Sequence, residues 1–119
     1  MEEKRGFFMT DHGSDSLLTA EKGVPNTQNA CKAQLRRLLG WLGDQGELKS
    51  PTQLRHEGDG IYAVRARCGL RAYGWFCKDK DGKDLFIVGH VVLKKQQKMN
   101  KGDFERTDKE RKAYEESIK

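Results

Sequence analysis

The stretch GIYAVRARCGLRAYGWFCKDKDGKDLFIVGHVVLKKQQKMNK, residues 60–101, decides the fold of this chain. It contains three runs that are rich in β-branched and aromatic residues, over Ile61 to Arg67, Leu70 to Lys78 and Asp84 to Leu93. Short glycine-containing segments separate these runs. Runs of this kind, bounded by turn residues, predict three antiparallel strands in a meander.

Outside this stretch the pattern predicts the remaining elements. In chain order these are a strand over Arg5 to Thr10, a turn over Asp11 to Ser16, a short helix over Ser16 to Lys22, a longer helix over Gln28 to Asp44, an irregular connection over Gly43 to Gly60 and a final helix over 102–119. A length of 119 residues fits a single domain over 1–119, in which residues 1–26 carry the weakest pattern. The order of elements predicts an α+β fold, a small antiparallel sheet with helices packed on one face.

The charge of the chain favours an anionic partner. Lys and Arg number 23 against 18 Asp and Glu, which gives a formal net charge of +5. The basic residues of the second half surround the predicted strands, whereas the acidic residues collect in the first half and in the final helix. A basic side of the longer helix, with Lys32, Arg36 and Arg37, is either a solvated surface or a second anionic contact.

Cysteine usage and hydropathy indicate which kinds of protein this chain is not expected to be. Cys31, Cys68 and Cys77 form no CxxC motif and no Cys/His ligand spacing, so we expect small, reduced, buried thiols with neither a disulfide framework nor a metal site. No cofactor is implied. The N-terminus lacks the apolar core of a signal peptide, and no apolar run is long enough to span a bilayer. We therefore expect a cytoplasmic protein without membrane contact.

Hairpin geometry predicts which side chains share a sheet face. If Cys68, Gly69 and Leu70 form the loop, Arg67 pairs with Arg71 and Arg65 pairs with Tyr73. One face then carries Arg65, Arg67, Arg71, Tyr73 and Trp75, and the helix-covered face carries Tyr62, Val64, Ala66, Ala72, Gly74 and Phe76. Guanidinium groups beside aromatic rings can bind phosphates and stack bases, as in proteins that bind single-stranded nucleic acid. The alternative is a solvent-facing sheet that is merely charged.

His90 is the one histidine within a strongly patterned strand. Imidazole titrates near neutrality, so His90 is a candidate for proton transfer. A histidine in such an apolar strand is also commonly a hydrogen-bonded core residue, and both interpretations stay open.

The segment from about Leu35 to Tyr114 resembles the RelE/HigB superfamily of type II toxins, in particular the phage-derived HigB-like branch. The resemblance rests on DGIYAVR (Asp59 to Arg65), on the Arg-led aromatic strand Arg71 to Phe76, on HVVLKKQQK (His90 to Lys98), and on a charged helix with Glu105, Arg106, Arg111 and Tyr114. The family commonly has an aromatic residue between the histidine and the Lys-Lys pair, and a proline soon after. Here Val92 and Asn100 stand near those positions.

The resemblance implies a RelE-like fold and a toxin that enters the ribosome and cuts messenger RNA with the substrate's own 2′-hydroxyl. It implies a helix-turn-helix antitoxin as partner, besides ribosome and messenger RNA. The candidate catalytic residues are Arg65, Arg71, Lys94 and His90, and the candidate RNA-binding residues are Arg67, Tyr73, Trp75, Lys95 and Lys98. Alternatives are a ParE-like gyrase inhibitor and a phage protein that binds RNA or an antitoxin without catalysis. The pattern specifies neither an oligomeric state nor a general base.

Overall fold

A computed structural model describes residues 7–45, 53–78, 82, 84–94 and 100–117. Its elements are β1 (Phe7–Met9), α1 (Asp11–Lys22), a 3-10 turn (Asn26–Gln28), α2 (Asn29–Gln45), β2 (Leu54–Gly58), β3 (Ile61–Arg65), β4 (Leu70–Lys78), β5 (Asp84–Leu93) and α3 (Lys101–Ser117). The α+β class is confirmed. Several predicted features lie outside the described residues: the start of the first strand at Arg5, most of the turn between β4 and β5, and the end of the last helix.

The sheet has five strands in the order β1-β5-β4-β3-β2. Strands β2 to β5 form antiparallel pairs, as predicted. Strand β1 runs parallel to β5, so the expectation of a wholly antiparallel sheet is wrong. The reason is the connection: α1 and α2 lie between β1 and the other strands, and a helical crossover allows the first strand to enter in the same direction as β5.

Helices α1 and α2 cover one sheet face and form the main core with it. The apolar residues of α2, among them Leu35, Leu38, Leu39 and Leu42, recur at helical spacing and are fully buried. They pack with Leu17 of α1 and with the even-numbered residues of β3 and β4 that the sequence assigns to this face, such as Val64 and Ala72. Within the described residues, no helix is both long and apolar enough to cross a membrane.

The N-terminal end of α1 differs from the prediction. The polar run Asp11 to Ser16 was expected to be a turn, but the helix begins at Asp11. The Thr10 side chain accepts a hydrogen bond from the Gly13 N–H, and Asp11 lies in the positively polarised first turn. Turn-forming residues are also the residues that start helices, which explains the difference.

Helix α3 packs on the opposite sheet face, so the expectation that the helices share one face is wrong. Tyr114 of α3 lies against Trp75 with ring centroids 6.0 Å apart, and Trp75 belongs to the odd-numbered face of β4. Thr107 of α3 is fully buried. At Gly89 of β5, an added Cβ would come within 2.6 Å of Trp75 Cζ3. The lack of a side chain at Gly89 leaves room for the indole of Trp75.

The β3–β4 hairpin keeps the predicted faces but shifts its register by two residues. Arg65 pairs with Arg71, and Ala63 pairs with Tyr73. The Gly69 N–H donates to the Ala66 carbonyl at 3.2 Å, and Gly69 has φ +98°, so the loop is a turn closed by a left-handed glycine. An even shift leaves every side chain on the same face. Arg67 moves from the strand into the turn.

Strand β2 was predicted to be part of an irregular connection. Its sequence, LRHEG, has no alternation of apolar and polar residues. It is an edge strand that pairs only with β3, so its backbone hydrogen bonds form without burial of both faces. The tight turn to β3 has left-handed backbone at Gly58, Asp59 and Gly60.

Cys31 of α2 and Cys68 of the β3–β4 turn form a disulfide, with Cα atoms 5.9 Å apart. The expectation of reduced thiols is therefore wrong for this pair. The two residues are 37 positions apart in sequence, and only the packing of α2 over the hairpin brings them together. Cysteine spacing alone carries no signal for such a bridge.

The disulfide should contribute measurably to stability. Replacing Cys31 and Cys68 together by serine should lower the free energy of unfolding by about 3 to 4 kcal/mol, because a link across a loop of this length restricts the unfolded chain. Urea denaturation without reductant measures the change, and Cys77→Ser is the control because Cys77 is outside the bridge. Equal midpoints for wild type and the double variant would contradict this role.

Candidate phosphate-binding site

A shallow pocket of about 290 Å³ lies between the β3–β4 turn and the end of β5. Its charged lining residues are Arg65, Arg67, Arg71 and Lys94, and the rest of the lining is the turn from Ala66 to Gly69. No acidic side chain is among these lining residues. The structure therefore brings together four residues that the sequence proposed for the site. We call this the basic pocket.

Arg65 and Arg71 are direct cross-strand neighbours at the turn end of the β3–β4 hairpin. Two like charges at directly opposite positions destabilise a sheet unless something neutralises them. Burial, followed by the charges of Arg71 and Arg55, lowers the pKa of Arg65 below its ordinary value, and the charge of Glu57 opposes this in part. This pair of guanidinium groups is suited to a doubly charged or bidentate oxyanion such as a phosphate.

Arg71 is less exposed than the sequence suggested. It was expected to face solvent, but it retains only 5% of its accessible surface. It follows Leu70 at the start of the most buried strand, opposite Val92 of β5. Its charge is therefore held in a region of low solvent access, where an ion interacts more strongly than at the surface.

Lys94 closes the basic pocket on the β5 side. Its backbone N–H donates to the Gly69 carbonyl at 2.8 Å, which fixes the end of β5 against the hairpin turn. A Cβ at Gly69 would collide with the Lys94 carbonyl oxygen, so glycine is required there for a second reason besides its φ angle. The Lys94 ammonium forms an ion pair with Asp103 Oδ2 at the start of α3.

His90 is tied to both neighbouring helices. Its Nε2 lies 3.0 Å from Asp103 Oδ1, and its Nδ1 lies 2.9 Å from His12 Nε2. Asp103 is paired with Lys94 and accepts, so Nε2 of His90 carries the hydrogen and Nδ1 accepts from His12. The rings of His12 and His90 stack with an interplanar angle of 9°. His90 is thus a hydrogen-bonded residue beneath α3, and it reaches the basic pocket only through Asp103 and Lys94.

His12 is disposed to stay neutral. Burial, followed by the charges of Arg106 and His90, lowers the pKa of His12 below its ordinary value of 6.5, and Glu110 and Asp15 oppose this only in part. Nε2 of His12 can donate to His90 whether the His12 ring is neutral or protonated, so it is burial beside Arg106 and His90, and not this hydrogen bond, that favours the neutral ring. The stability that His12 contributes where α1 meets β5 therefore depends on pH.

Tyr73 and Trp75 lie on the predicted face but are unavailable for base stacking. They retain 0% and 2% of their accessible surface, because α3 covers them. Burial raises the pKa of the Tyr73 phenol, and the adjacent Arg71 opposes this in part. Their predicted role as a stacking surface is contradicted. Lys95 and Lys98, also predicted to contact RNA, lie outside the described residues.

Two residues of this region were not predicted as site residues. Asp103 fell at the start of the predicted final helix without being proposed for the site, and His12 fell in a predicted turn. The basic run before α3 offered an indirect signal, since a carboxylate that follows several lysines is a candidate partner for one of them. Among the described residues, no three His, Cys, Asp or Glu side chains are grouped so that they could hold a metal ion.

Comparisons with protein-family models, with curated protein sequences and with solved structures give no match in any of the three. The fold and the site therefore define the class by themselves. It is a small α+β protein with a basic pocket at the turn end of its central hairpin.

The His12 connection predicts how stability depends on pH. A histidine whose pKa is lowered by folding stabilises the native state fully above about pH 6.5, and this contribution is lost as the pH falls, because the unfolded chain takes up the proton more readily. His12→Gln should therefore lose less stability than wild type between about pH 7.5 and 5. Urea denaturation at several pH values measures the slope. If the free energy of unfolding changed with pH equally in wild type and His12→Gln, His12 would contribute nothing to the pH dependence of stability.

Proposed function

We propose that this protein is the toxin of a type II toxin-antitoxin system, a metal-independent endoribonuclease that cuts messenger RNA on the ribosome. The observation that supports this proposal best is the convergence of Arg65, Arg67, Arg71 and Lys94 on one pocket. Three of them, Arg65, Arg71 and Lys94, belong to the motifs by which the chain resembles the RelE/HigB superfamily, and Arg67 lies between two of those motifs.

The proposed reaction needs little from the protein beyond charge and alignment. The 2′-oxygen of the substrate attacks the adjacent phosphorus, the P–O5′ bond breaks, and a 2′,3′-cyclic phosphate and a 5′-hydroxyl result. The 2′-hydroxyl loses its proton and the departing 5′-oxygen gains one. Negative charge builds up on the phosphoryl oxygens meanwhile, and preorganised guanidinium groups stabilise such charge strongly where water is limited. Arg65 and Arg71 are the residues suited to this role.

The described residues of the basic pocket offer positive charge but little means of proton transfer. Neither a carboxylate nor an imidazole is among the described residues that line the basic pocket. His90 was a candidate, but its two ring nitrogens are engaged by His12 and Asp103. We therefore propose that the ribosome aligns the RNA and that the chain supplies mainly electrostatic stabilisation.

The proposed setting is the cytoplasm, with a helix-turn-helix antitoxin that neutralises the toxin until it is released. Disulfides are uncommon in reducing compartments. The Cys31–Cys68 bond would open there, so toxicity and cleavage are best measured for the reduced and the oxidised protein separately.

A second candidate function is non-catalytic binding of RNA or of an antitoxin. Two observations favour it: Lys94 is already neutralised by Asp103, and the described pocket lining offers no general base. Binding without cleavage would leave messenger RNA intact. Gyrase inhibition, the ParE-like alternative, would be detected in the same cells as a loss of supercoiling.

Arg65 gives the sharper mutational test, since Arg71 is buried and its removal perturbs the sheet. Arg65→Ala should lower the rate of ribosome-dependent cleavage about 100-fold, the usual cost of removing one group that stabilises the transition state. Arg71→Lys should also impair cleavage, because lysine keeps the charge but loses the bidentate donor pair.

The measurement is primer extension on messenger RNA after induction in a bacterium, together with purified ribosomes. Arg36→Ala is the control, because Arg36 is paired with Glu21 away from the pocket. Thermal unfolding must show that each variant is folded. Full cleavage by a folded Arg65→Ala protein would remove Arg65 from the site.

The nature of the nucleophile predicts a result that does not depend on any protein variant. A messenger with a single 2′-deoxy substitution at the scissile nucleotide should resist cutting, while neighbouring positions tolerate the same substitution. The upstream fragment should end in a cyclic or 3′-phosphate, which phosphatase and ligation assays distinguish from a 3′-hydroxyl. Normal cleavage at the 2′-deoxy position would refute the mechanism.

A further inference from the structure

The basic pocket continues into a second cleft on the side of α2. This cleft has a volume of about 460 Å³ and shares Arg67 and Cys68 with the basic pocket. Its other lining residues come from the start of α2 and the turn before it, and the polar ones among them are Gln28, Gln34 and Arg37. We call this second cleft the α2 groove. The two depressions form one path across the β3–β4 turn.

The α2 groove has the charge and the polar groups of a nucleic-acid contact. Its lining contains two arginines and two glutamines but no acidic residue. Gln34 Oε1 accepts a hydrogen bond from the Arg67 backbone N–H at 3.0 Å, so α2 holds the turn in place. The exposed Arg67 side chain thus stands at the junction of the basic pocket and the α2 groove.

An exposed tryptophan stands beside the α2 groove. Trp41 retains 48% of its accessible surface, and the Arg37 guanidinium lies 5.6 Å from the centre of its ring. The chain has two tryptophans, and the other, Trp75, is buried. An aromatic ring next to an arginine in a basic groove is the combination that proteins use to stack bases of single-stranded nucleic acid.

We propose that the α2 groove is a second subsite for single-stranded RNA, continuous with the basic pocket. Arg67 spans the two sites, Arg37 contacts a phosphate of a neighbouring nucleotide, and Trp41 stacks on a base. The choice of RNA as the polymer rests on the proposed function. The groove also supplies the stacking surface that the buried Tyr73 and Trp75 do not.

An acidic protein segment is the other class of ligand that could meet these arginines. The exposed ring beside Arg37 favours RNA, because every base offers a flat face to a ring, whereas an acidic peptide needs only the cations. The two ligands differ in what Trp41 contributes, so an experiment on Trp41 separates them.

The test measures binding of fluorescent 2′-O-methyl RNA, which the 2′-hydroxyl reaction cannot cleave. A short oligomer of about three nucleotides and a longer one of about nine are titrated into wild-type protein, without added thiol. The variants are Arg37→Ala and Trp41→Leu. The matched controls are Arg36→Ala, on the next position of α2 but paired with Glu21, and Leu18→Ala, an exposed apolar residue of α1.

Arg37→Ala and Trp41→Leu should each weaken binding of the long oligomer about fivefold or more, and leave the short oligomer and both controls unchanged. Arg37→Ala should also reduce the salt dependence by about one phosphate contact, a slope of about 0.7 on logarithmic axes. Trp41→Phe should restore most of the affinity. RNA should quench the tryptophan fluorescence of wild type and not that of Trp41→Leu.

Equal binding of the long oligomer by wild type and both variants would overturn the proposal, and so would an equal loss for short and long oligomers. A loss for Arg37→Ala with no effect of Trp41→Leu would assign the groove to an acidic ligand instead. Failure of the proposed function gives a different result: length-dependent binding through Arg37 and Trp41 with no cleavage on ribosomes.

Discussion

The structure depends on the burial of strand β4 from both sides. Every residue from Leu70 to Trp75 is buried, because α1 and α2 cover one face and α3 covers the other. A register shift of one residue would turn the Arg71 guanidinium into the apolar core under α1 and α2, at a large desolvation cost. The strand therefore has one permitted orientation. That orientation puts Arg71 at the turn end of the hairpin, opposite Arg65, where a pocket can form.

The parts of the fold that could be predicted are those set by local alternation. The two faces of the β3–β4 hairpin follow from the alternation of side chains along these strands, and the bounds of β5 follow from a nearly continuous apolar run, DLFIVGHVVL. The side on which α3 packs does not follow, because its apolar stripe is narrow and the deciding contacts join Tyr114 and Thr107 to distant strands. The disulfide, the parallel strand β1 and the polar strand β2 also depend on long-range pairing.

The residues of the candidate site also differ in whether local sequence pattern or long-range contacts place them. Arg65 and Arg71 could be placed on one face from strand alternation, although the predicted partner of Arg65 was Tyr73 and the observed one is Arg71. Lys94 follows the end of β5 and was proposed from the Lys-Lys pair of the resemblance. His12 and Asp103 could not be placed in this way, since their contacts with His90 span 78 and 13 residues and involve two separate helices. The prediction that Tyr73 and Trp75 stack bases was wrong because it too depended on where a helix packs. A strand pattern identifies the face on which a ring lies but not the helix that later covers it.

The position of Asp103 determines how the basic pocket can treat a phosphate. Lys94 is held by Asp103, so an entering phosphate must share this ammonium with a carboxylate and gains less from it than from an unpaired cation. Arg65 and Arg71 face one another across the hairpin, and the nearby carboxylate of Glu57 offsets part of the charge of Arg65. The two guanidinium groups supply the bidentate donors that a phosphate needs, while Lys94 and Asp103 anchor α3 at the rim of the pocket. The sheet thus fixes the positions of Arg65 and Arg71 in the pocket, and Asp103 of α3 reduces the positive charge that Lys94 adds.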